Sequence, residues 1–522
     1  MFTRLVSLLV VYIISTRDLS HCCQVKQFAG KDSFVCVCNE AYCDSIVTEP
    51  NSLPDHLTIF QSDAASHRFS KSIISFNELL LDSDALVDVH IKVNGTDRKQ
   101  QIFGFGGSFT DSAGINIKKL PAKLVDQLIE NYFSETKGLG YTYGRVPIAA
   151  SDFSQRYYTY AEVADDFELK HFKLAHEDTL YKIPLIKKAL SVSKDLRLIS
   201  APWAPPSWLK TSHRPKGLGI LQDDPGSKYW KTYANYIVKF LETYVQHGIH
   251  FWGVSPQNEP STGLMPNWPL NTCGFSGHMM RDYIKKDLGP ALKKAGFGKD
   301  KVKLMIWDDQ LLDIMPFIRV ILEDKEAAEY VSGVAYHWYS RRFYELLDEI
   351  KMTYPQVFLL STEGSEGVYA AERVSLGNWT RAERYATDII EGLNHWSTGW
   401  VDWNLALDES GGPNWVNNFI DSMVIVNNTS PEYYKQPMYY VFGHFSRFLR
   451  PGSTRLGHSI IKNNAENEVK LTVFQTPTND TVLTVLNKKS APIKLTVEGM
   501  NVKPFTLTFS PKSITTIVNA SH

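Results

Sequence analysis

The chain has 522 residues, of which 43% are hydrophobic and 12% aromatic, and its formal net charge is −1. A chain of this length exceeds one ordinary domain and suits a large barrel with one or two smaller units. Without a basic excess there is nothing to neutralise phosphates, which excludes nucleic acid as an expected partner.

The N-terminus has the pattern of a secretory signal peptide, which we place at residues 1–22. Residues 1–4 carry a positive charge, and residues 5–14 form an apolar run that is too short to span a bilayer. No later stretch is long enough to span one either. We therefore expect a mature protein that enters the secretory pathway and is lumenal or secreted.

The distribution of cysteines agrees with secretion. Only Cys273 lies far from the N-terminus, and the other five are Cys22, Cys23, Cys36, Cys38 and Cys43. A local cluster in a secreted chain indicates disulfides that stabilise a small unit, which we assign to residues 23–50. The alternative is a zinc knuckle, which an oxidising compartment disfavours.

Asn-X-Ser/Thr sequons also fit passage through the secretory pathway. They occur at Asn94, Asn378, Asn427, Asn428, Asn479 and Asn519. We do not expect the adjacent Asn427 and Asn428 both to be used. The predicted glycosylation sites are Asn94, Asn378, Asn428 and Asn479.

After the cysteine segment, two β-like runs at 57–60 and 86–93 come first, and the second is predicted to end at the Asn94-Gly95 turn. Short apolar runs then alternate with amphipathic helical stretches, a pattern typical of βα units around a parallel sheet. Eight runs are found, at 102–105, 143–148, 197–202, 251–256, 302–307, 331–337, 357–362 and 399–405. The clearest helical patterns are 121–133, which has Pro121 in its first turn, 227–246 and 380–396. An α/β fold with a (β/α)8 TIM barrel at residues 100–451 is therefore predicted.

Beyond the barrel the pattern changes to short alternating strands separated by turn residues. These runs are 469–474, 482–487, 493–497, 505–509 and 514–518. They indicate an antiparallel β-sandwich. The strand pair before the barrel is its expected completion, so residues 51–99 and 452–522 are predicted to form one unit built from both chain ends.

Polar and aromatic side chains follow the ends of all eight barrel runs, where functional residues of a TIM barrel lie. They are Asp111, Asp152, Trp203, Asn258, Glu259, Asp308, Asp309, Gln310, His337, Trp338, Tyr339, Glu363, Trp403 and Asn404. Aromatic rings stack on the C–H faces of a sugar, and carboxylates and amides bind its hydroxyls. The set therefore predicts a carbohydrate pocket. For Trp203 and Trp403 the alternative is packing beneath the loops, and for His337 we favour orienting a carboxylate over direct contact.

Two glutamates at strand ends provide the pair of carboxylates that glycoside hydrolysis requires. We assign Glu259 as the acid/base, because the preceding Asn258 is placed to bind a sugar hydroxyl and the following proline stiffens the loop. Glu363 is then the nucleophile. A separation of about 5 Å between the carboxyls predicts retention of anomeric configuration, and about 7 Å or more predicts inversion. The pattern predicts no metal site and no cofactor.

Several motifs place the chain in a known family. The most specific are FGFGGSFTD at 103–111, RVPIAASDFS at 145–154, NEPS at 258–261, HWY at 337–339, TE at 362–363, DWNLAL at 402–407, GGPNW at 411–415 and KQPMYY at 435–440. With them, the chain resembles the lysosomal acid β-glucosidases, or glucosylceramidases, almost from end to end.

The resemblance implies a retaining mechanism on glucosylceramide, with Glu259 as acid/base and Glu363 as nucleophile. It implies disulfides Cys23–Cys36 and Cys38–Cys43, a lysosomal location, an anionic lipid surface and a saposin-type activator. Substrate-binding positions carry over to Asp152, Trp203, Asn258, His337, Tyr339, Trp403 and Asn414.

The chain departs from the family pattern at the pocket rim and beside one glutamate. Leu270 stands where the family can carry phenylalanine, and Gly364-Ser365 replaces the more usual Ala-Cys. The spacing between Cys23 and Cys36 is one residue longer. Two alternatives stay open: a barrel glycosidase acting on a β-linked polysaccharide such as xylan or glucan, and an inactive sugar- or lipid-binding relative.

Overall fold

The protein is described by a computed structural model of residues 23–46 and 55–521, so the predicted signal peptide lies outside the described residues. Eight parallel strands close into a barrel, which confirms the predicted TIM fold. The strands are Gly104–Ser108, Tyr143–Ile148, Arg197–Pro202, Phe251–Val254, Lys303–Gln310, Val331–His337, Phe358–Glu363 and Ser397–Asn404. Each prediction from the apolar runs overlaps one of them.

Helices surround the barrel on its outside. They are Asp111–Lys119, Ala122–Phe133, Ile183–Val192, Lys228–Gln246, Gly277–Tyr283, Gly289–Lys294, Ile314–Leu322, Lys325–Tyr330, Glu345–Thr353, Trp379–Asn394 and Pro437–Ser446. Pro121 does not lie in the first turn as predicted but caps the second helix in an extended conformation, which the fixed φ of proline also allows. The predicted stripe of Lys228–Gln246, including Tyr233, Ile237 and Phe240, is buried.

Six C-terminal strands and three strands before the barrel form one mainly antiparallel unit of nine strands. In spatial order they are Phe505–Phe509, Ile493–Glu498, Val89–Gln101, Thr454–Asn463, Val469–Gln475, Thr481–Asn487, Ser513–Asn519, His56–Asp63 and Ser70–Ser75. Their apolar faces enclose a separate core that includes Ile91, Val485 and Leu495. The predicted sandwich built from both chain ends is therefore confirmed.

Two features of the sandwich differ from the prediction. The strand expected to end at Asn94-Gly95 continues to Gln101, because a register shift against Thr454–Asn463 accommodates the turn residues as a bulge. The strands Thr454–Asn463 and Ser70–Ser75 were not predicted. The outer half of Thr454–Asn463 is exposed, so its sequence lacks the apolar alternation that marks a half-buried strand.

The cysteine segment forms a sheet with strands that follow the eighth barrel strand. Strands Gln24–Gln27 and Phe34–Asn39 share a sheet with Glu432–Lys435, Val424–Val426 and Leu407–Asp408. Cys23 is bonded to Cys36, and Cys38 to Cys43. Cys38, Cys43 and Asp44 lie close enough together to suggest a metal group, but both sulfurs are in a disulfide. The zinc-knuckle alternative is therefore wrong, because zinc binds thiolates.

The predicted glycosylation sites lie in different surroundings. Asn94, Asn428 and Asn479 are exposed. Asn378 is half-buried, and its side chain caps the helix Trp379–Asn394 by accepting a hydrogen bond from the Arg381 backbone N–H.

The barrel interior is filled from below by an apolar layer. Its buried members are Tyr143, Ile199, Met305, Ala335, Leu360 and Val401. Because this layer closes the barrel, a ligand can enter only above it, at the C-terminal ends of the strands. No helix within residues 23–46 and 55–521 is long and apolar enough to cross a membrane.

Candidate active site

A cavity at the C-terminal ends of the strands contains both glutamates. Its volume is about 460 Å³. The residues predicted from sequence that line it are Asp152, Trp203, Asn258, Glu259, Tyr339, Glu363 and Trp403. Two other predicted residues lie behind this lining: His337 is fully buried, and Asn414 donates a hydrogen bond to Asp152 at 3.3 Å.

Glu363 ends the seventh barrel strand and is held by a cation and a phenol. The buried guanidinium of Arg145, from the second strand, donates to one carboxylate oxygen of Glu363. The Tyr339 hydroxyl donates to the other oxygen at 2.8 Å. A charged partner and two hydrogen bonds fix the direction of a carboxylate. Glu363 is therefore held in one orientation, facing the cavity.

Glu259 follows the fourth strand, and its carboxylate has different partners. The side-chain amide of Gln310 donates to Oε1 of Glu259 at 3.1 Å, and Nδ1 of His337 lies 3.2 Å from the same oxygen. The backbone of Glu259 has φ of +44°, an unusual conformation for a residue with a side chain. Its N–H donates to the Asp308 carbonyl at 3.0 Å, which holds this conformation in place.

His337 connects Glu259 with the buried Asp308. Its Nε2 lies 3.2 Å from Oδ1 of Asp308, while Nδ1 faces Glu259. Burial disfavours charge on the ring, but the surrounding carboxylates, Glu363 first, outweigh this effect and raise the pKa of His337 to about 10. The ring is therefore an imidazolium that donates from both nitrogens.

Asp308 and Asp309 are adjacent at the end of the fifth strand, but their charge states differ. Burial opposes the charge on Asp308, yet Arg145 and His337 hold its pKa well below the usual range. Asp309 is also buried, and burial together with the nearby Glu259 raises its pKa above the usual range. The two adjacent aspartates therefore have pKa values shifted in opposite directions.

One wall of the cavity combines hydrogen-bonding groups with aromatic faces. Asp152 accepts hydrogen bonds from Asn414 and, at 3.0 Å, from Asn418. Burial raises the pKa of Asp152 to about 7. Trp203 and Trp403 stack with ring centroids 5.1 Å apart. This wall provides the polar and aromatic contacts that a sugar ring needs.

The rest of the cavity lining contains a group of apolar side chains, which we call the apolar mouth. Its members are Trp268, Pro269, Leu270, Leu312, Val368, Tyr369 and Val416, and the polar residues Ser340, Ser365, Asn417 and Asn418 line the same cavity. Tyr369 is 84% exposed and Leu312 is 54% exposed. Exposed apolar side chains grouped around a cavity provide a surface for an apolar part of a ligand.

Some contacts at the site were not predicted from sequence. Arg145 lies inside the apolar run 143–148, and a charged residue there was a usable signal because a buried charge must be paired. Gln310 was predicted to lie at a strand end, but its hydrogen bond to Glu259 was not predicted. Asn418 lies in a loop with no periodic pattern, and no feature of the sequence indicated it. Asp111, although named at a strand end, pairs with Lys182 rather than lining the cavity.

A closed parallel barrel with two carboxylates and a sugar-binding wall in one cavity defines the class of the protein: it has the arrangement of a glycoside hydrolase. Residues 102–449 match the glycosyl hydrolase family 30 TIM-barrel domain, and residues 452–517 match the glycosyl hydrolase family 30 beta sandwich domain. The chain therefore belongs to glycosyl hydrolase family 30 and is a retaining glycoside hydrolase.

Full-length relatives share this architecture. The chain is 43% identical over 505 residues to putative glucosylceramidase 4 of Caenorhabditis elegans, with 95% of each chain covered. It is 38% identical over 518 residues to lysosomal acid glucosylceramidase of Mus musculus, with 98% of each covered. Among solved structures, the endo-β1,6-glucanase BT3312 is similar with a TM-score of 0.77 and 26% identity, covering 89% of this chain and 99% of that one.

Proposed function

We propose that the protein is a glucosylceramidase that hydrolyses the β-glucosyl bond of glucosylceramide to glucose and ceramide. The observation that carries this proposal is the group of apolar side chains that lines the same cavity as the two glutamates. A ceramide continues from the glucosyl oxygen through a short segment with an amide and a hydroxyl into two long alkyl chains, whereas every further sugar of a polysaccharide carries hydroxyls that need polar partners. The identity to glucosylceramidases of the worm and the mouse supports the same substrate.

The proposed reaction is a double displacement on one glucosyl ring. Glu363 attacks the anomeric carbon while Glu259 transfers a proton to the leaving ceramide oxygen, so the glycosidic bond breaks as the glycosyl-enzyme bond forms. Glu259 then removes a proton from a water molecule, which attacks the anomeric carbon and releases glucose and the Glu363 carboxylate. In this mechanism the hydrogen bonds from Arg145 and Tyr339 orient Glu363 toward the anomeric carbon.

Binding of the glucosyl ring is assigned to the wall that contains Asp152, Trp203 and Trp403. Asp152, held by Asn414, accepts hydrogen bonds from sugar hydroxyls, and Asn258 binds a hydroxyl close to the anomeric carbon. Trp203 and Trp403 supply the apolar faces. His337 serves as a positioning residue, because it is fully buried and reaches the sugar only through Glu259.

The location and partners follow from the same proposal. We infer a secretory and lysosomal location, since the mouse relative is a lysosomal acid glucosylceramidase. A substrate embedded in lipid requires the cavity mouth to reach a membrane surface, and an anionic surface with a saposin-type activator is the proposed setting. Vesicles with and without anionic lipid test this part, and equal rates on both would contradict it.

A β-linked glucan is the second candidate substrate, supported by the likeness to the endo-β1,6-glucanase BT3312. The test compares kcat/KM on glucosylceramide in mixed micelles with kcat/KM on soluble β-glucan oligosaccharides. Preference for the lipid by tenfold or more is the expected result. Preference for the oligosaccharides would overturn the glucosylceramide assignment, and no turnover of either would favour an inactive relative.

A further inference from the structure

Asp309 is a buried carboxylate that collects hydrogen bonds from two separate segments. Its Oδ2 accepts from the Ser261 hydroxyl at 2.6 Å and from the Ser261 backbone N–H at 3.1 Å. Its Oδ1 accepts from the Gln310 backbone N–H at 2.7 Å. Only 2% of the residue is exposed, so these bonds are shielded from water.

Both segments lead to Glu259. Ser261 lies two residues beyond Glu259, in a loop that closes when the Thr262 hydroxyl donates to the Glu259 carbonyl at 2.7 Å. Gln310 donates its side-chain amide directly to the Glu259 carboxylate at 3.1 Å. Asp309 therefore ties the loop that carries Glu259 to the strand end that carries one of its hydrogen-bond donors.

Among the described residues, Asp309 is buried without a cationic partner and depends on its hydrogen bonds. Within the described part of the chain, it forms no ion pair with a lysine, an arginine or a histidine, in contrast to Asp308 beside it. A buried carboxyl without a cation lowers stability unless hydrogen bonds compensate. Such groups concentrate at functional sites, where geometry is maintained at the expense of stability.

We propose that Asp309 is a positioning residue for proton transfer: through Ser261 and Gln310 it holds the Glu259 carboxyl in line with the leaving-group oxygen. This inference rests on the proposed role of Glu259 as acid/base. It assigns to Asp309 no contact with the substrate.

The test uses the dependence of rate on the leaving group. An alkyl β-glucoside needs protonation of its leaving oxygen, whereas 2,4-dinitrophenyl β-glucoside does not. Asn has one acceptor oxygen, so Asp309→Asn loses a bond to Ser261 or to Gln310. We expect kcat/KM on the alkyl glucoside to fall by about tenfold or more. On the dinitrophenyl glucoside, kcat/KM should stay within about twofold of the wild type.

Ser261→Ala provides a second route that leaves the buried carboxyl in place, in case Asp309→Asn does not fold. Ser261→Ala should show the same selective loss of kcat/KM on the alkyl glucoside. Ser261→Thr keeps the hydroxyl, so its kcat/KM should stay close to that of the wild type. Asp287→Asn is the matched control: Asp287 is also buried and accepts a backbone N–H, from Gly226 at 2.8 Å, but does not line the cavity. It should leave both rates unchanged.

Glu259→Ala separates this inference from the proposed function. If Glu259→Ala lowers kcat/KM equally on both substrates, the acid/base assignment fails and the inference fails with it. A second outcome is that Glu259→Ala lowers kcat/KM only on the alkyl glucoside, while Asp309→Asn and Ser261→Ala lower it equally on both substrates or on neither. In that case the acid/base assignment stands and the positioning role is overturned.

Discussion

The two sides of the cavity hold their glutamates by different means. On one side Glu363 is bound by the Arg145 guanidinium and the Tyr339 hydroxyl. On the other side Glu259 receives the neutral amide of Gln310 and a bond to His337, an imidazolium shared with Asp308. Both glutamates therefore have a cationic partner, and they differ in geometry: these bonds involve both carboxylate oxygens of Glu363 but only Oε1 of Glu259. In the proposed mechanism, the other oxygen of Glu259 is the one assigned to proton transfer.

The largest expected effect is on the nucleophile side. Glu363→Gln keeps the size of the side chain but removes the attacking carboxylate, so kcat on glucosylceramide should fall on the order of 10⁴-fold or more. The circular dichroism spectrum should match that of the wild type, which shows that the variant is folded. Substantial residual turnover by a fully folded variant would show that Glu363 is not the nucleophile.

The cation on that side has both a structural and a catalytic role. Arg145→Gln removes the guanidinium from the buried carboxylates of Glu363 and Asp308 and leaves only His337 as a cation beside Asp308, which should lower the free energy of unfolding by about 3–5 kcal/mol. Activity should fall as well, because Glu363 loses its orientation. Urea unfolding followed by tryptophan fluorescence measures the first effect, and an unchanged free energy of unfolding would contradict the buried ion-pair account.

Buried acids without a cation predict the pH dependence of stability. Burial raises the pKa of Asp402 to about 8, although Tyr385 donates to it at 2.7 Å. The unfolded chain has a carboxyl pKa near 3.9, so between these values the folded state binds the extra proton and stability decreases as pH rises. Asp402→Asn should therefore remove about 1–3 kcal/mol of the decrease in the free energy of unfolding between pH 5 and pH 7.

This prediction is checked by urea unfolding at a series of pH values. Asp308→Asn is the contrasting variant, because the pKa of Asp308 lies below the usual range. Its contribution to stability is present above the unfolded pKa and is lost only in strongly acidic solution. The slope of stability against pH between 5 and 7 should therefore persist in Asp308→Asn. The same slope in Asp402→Asn would refute the prediction for Asp402.

Single hydrogen bonds to each glutamate provide a matched pair of smaller changes. Tyr339→Phe removes one bond to Glu363, and Gln310→Ala removes one bond to Glu259. Each should reduce kcat/KM on an alkyl glucoside by about tenfold, the value of a hydrogen bond to a charged group. On the dinitrophenyl glucoside kcat/KM should fall only for Tyr339→Phe, because kcat/KM reports the first step, in which this leaving group needs no proton from Glu259. An identical substrate dependence of the two variants would remove the distinction between the sides.

The smallest effect concerns the apolar mouth. Tyr369→Ser removes an exposed aromatic ring from the mouth, so KM for glucosylceramide in vesicles should rise by a few-fold. The kinetic constants on a soluble aryl glucoside should not change. Met352→Ser is the control, because Met352 is 77% exposed on the helix Glu345–Thr353 and does not line the mouth. A rise in KM for this variant too would indicate a general loss of lipid adsorption.

The sequence predicted the barrel well because its strands are buried on both faces. The bounds of Tyr143–Ile148, Arg197–Pro202 and Val331–His337 agree with the predicted runs. The second half of Thr454–Asn463 is exposed at consecutive positions and has neither an apolar run nor an alternation, so this strand was missed. The polar residues at the ends of the buried strands were also predicted from the sequence, and most of them line one cavity.

The chemical groups of the site, and the strand that carries each of them, could be predicted from the amino-acid sequence alone. This is because buried strands are apolar runs, and the runs end where the side chains become polar. The charge state of those groups was decided only by the tertiary structure. Asp308 and Asp309 are identical neighbours, yet one meets Arg145 and the other meets Ser261. Electrostatic energy depends on distance in space and on exclusion of water, and neither is encoded in the order of residues along the chain.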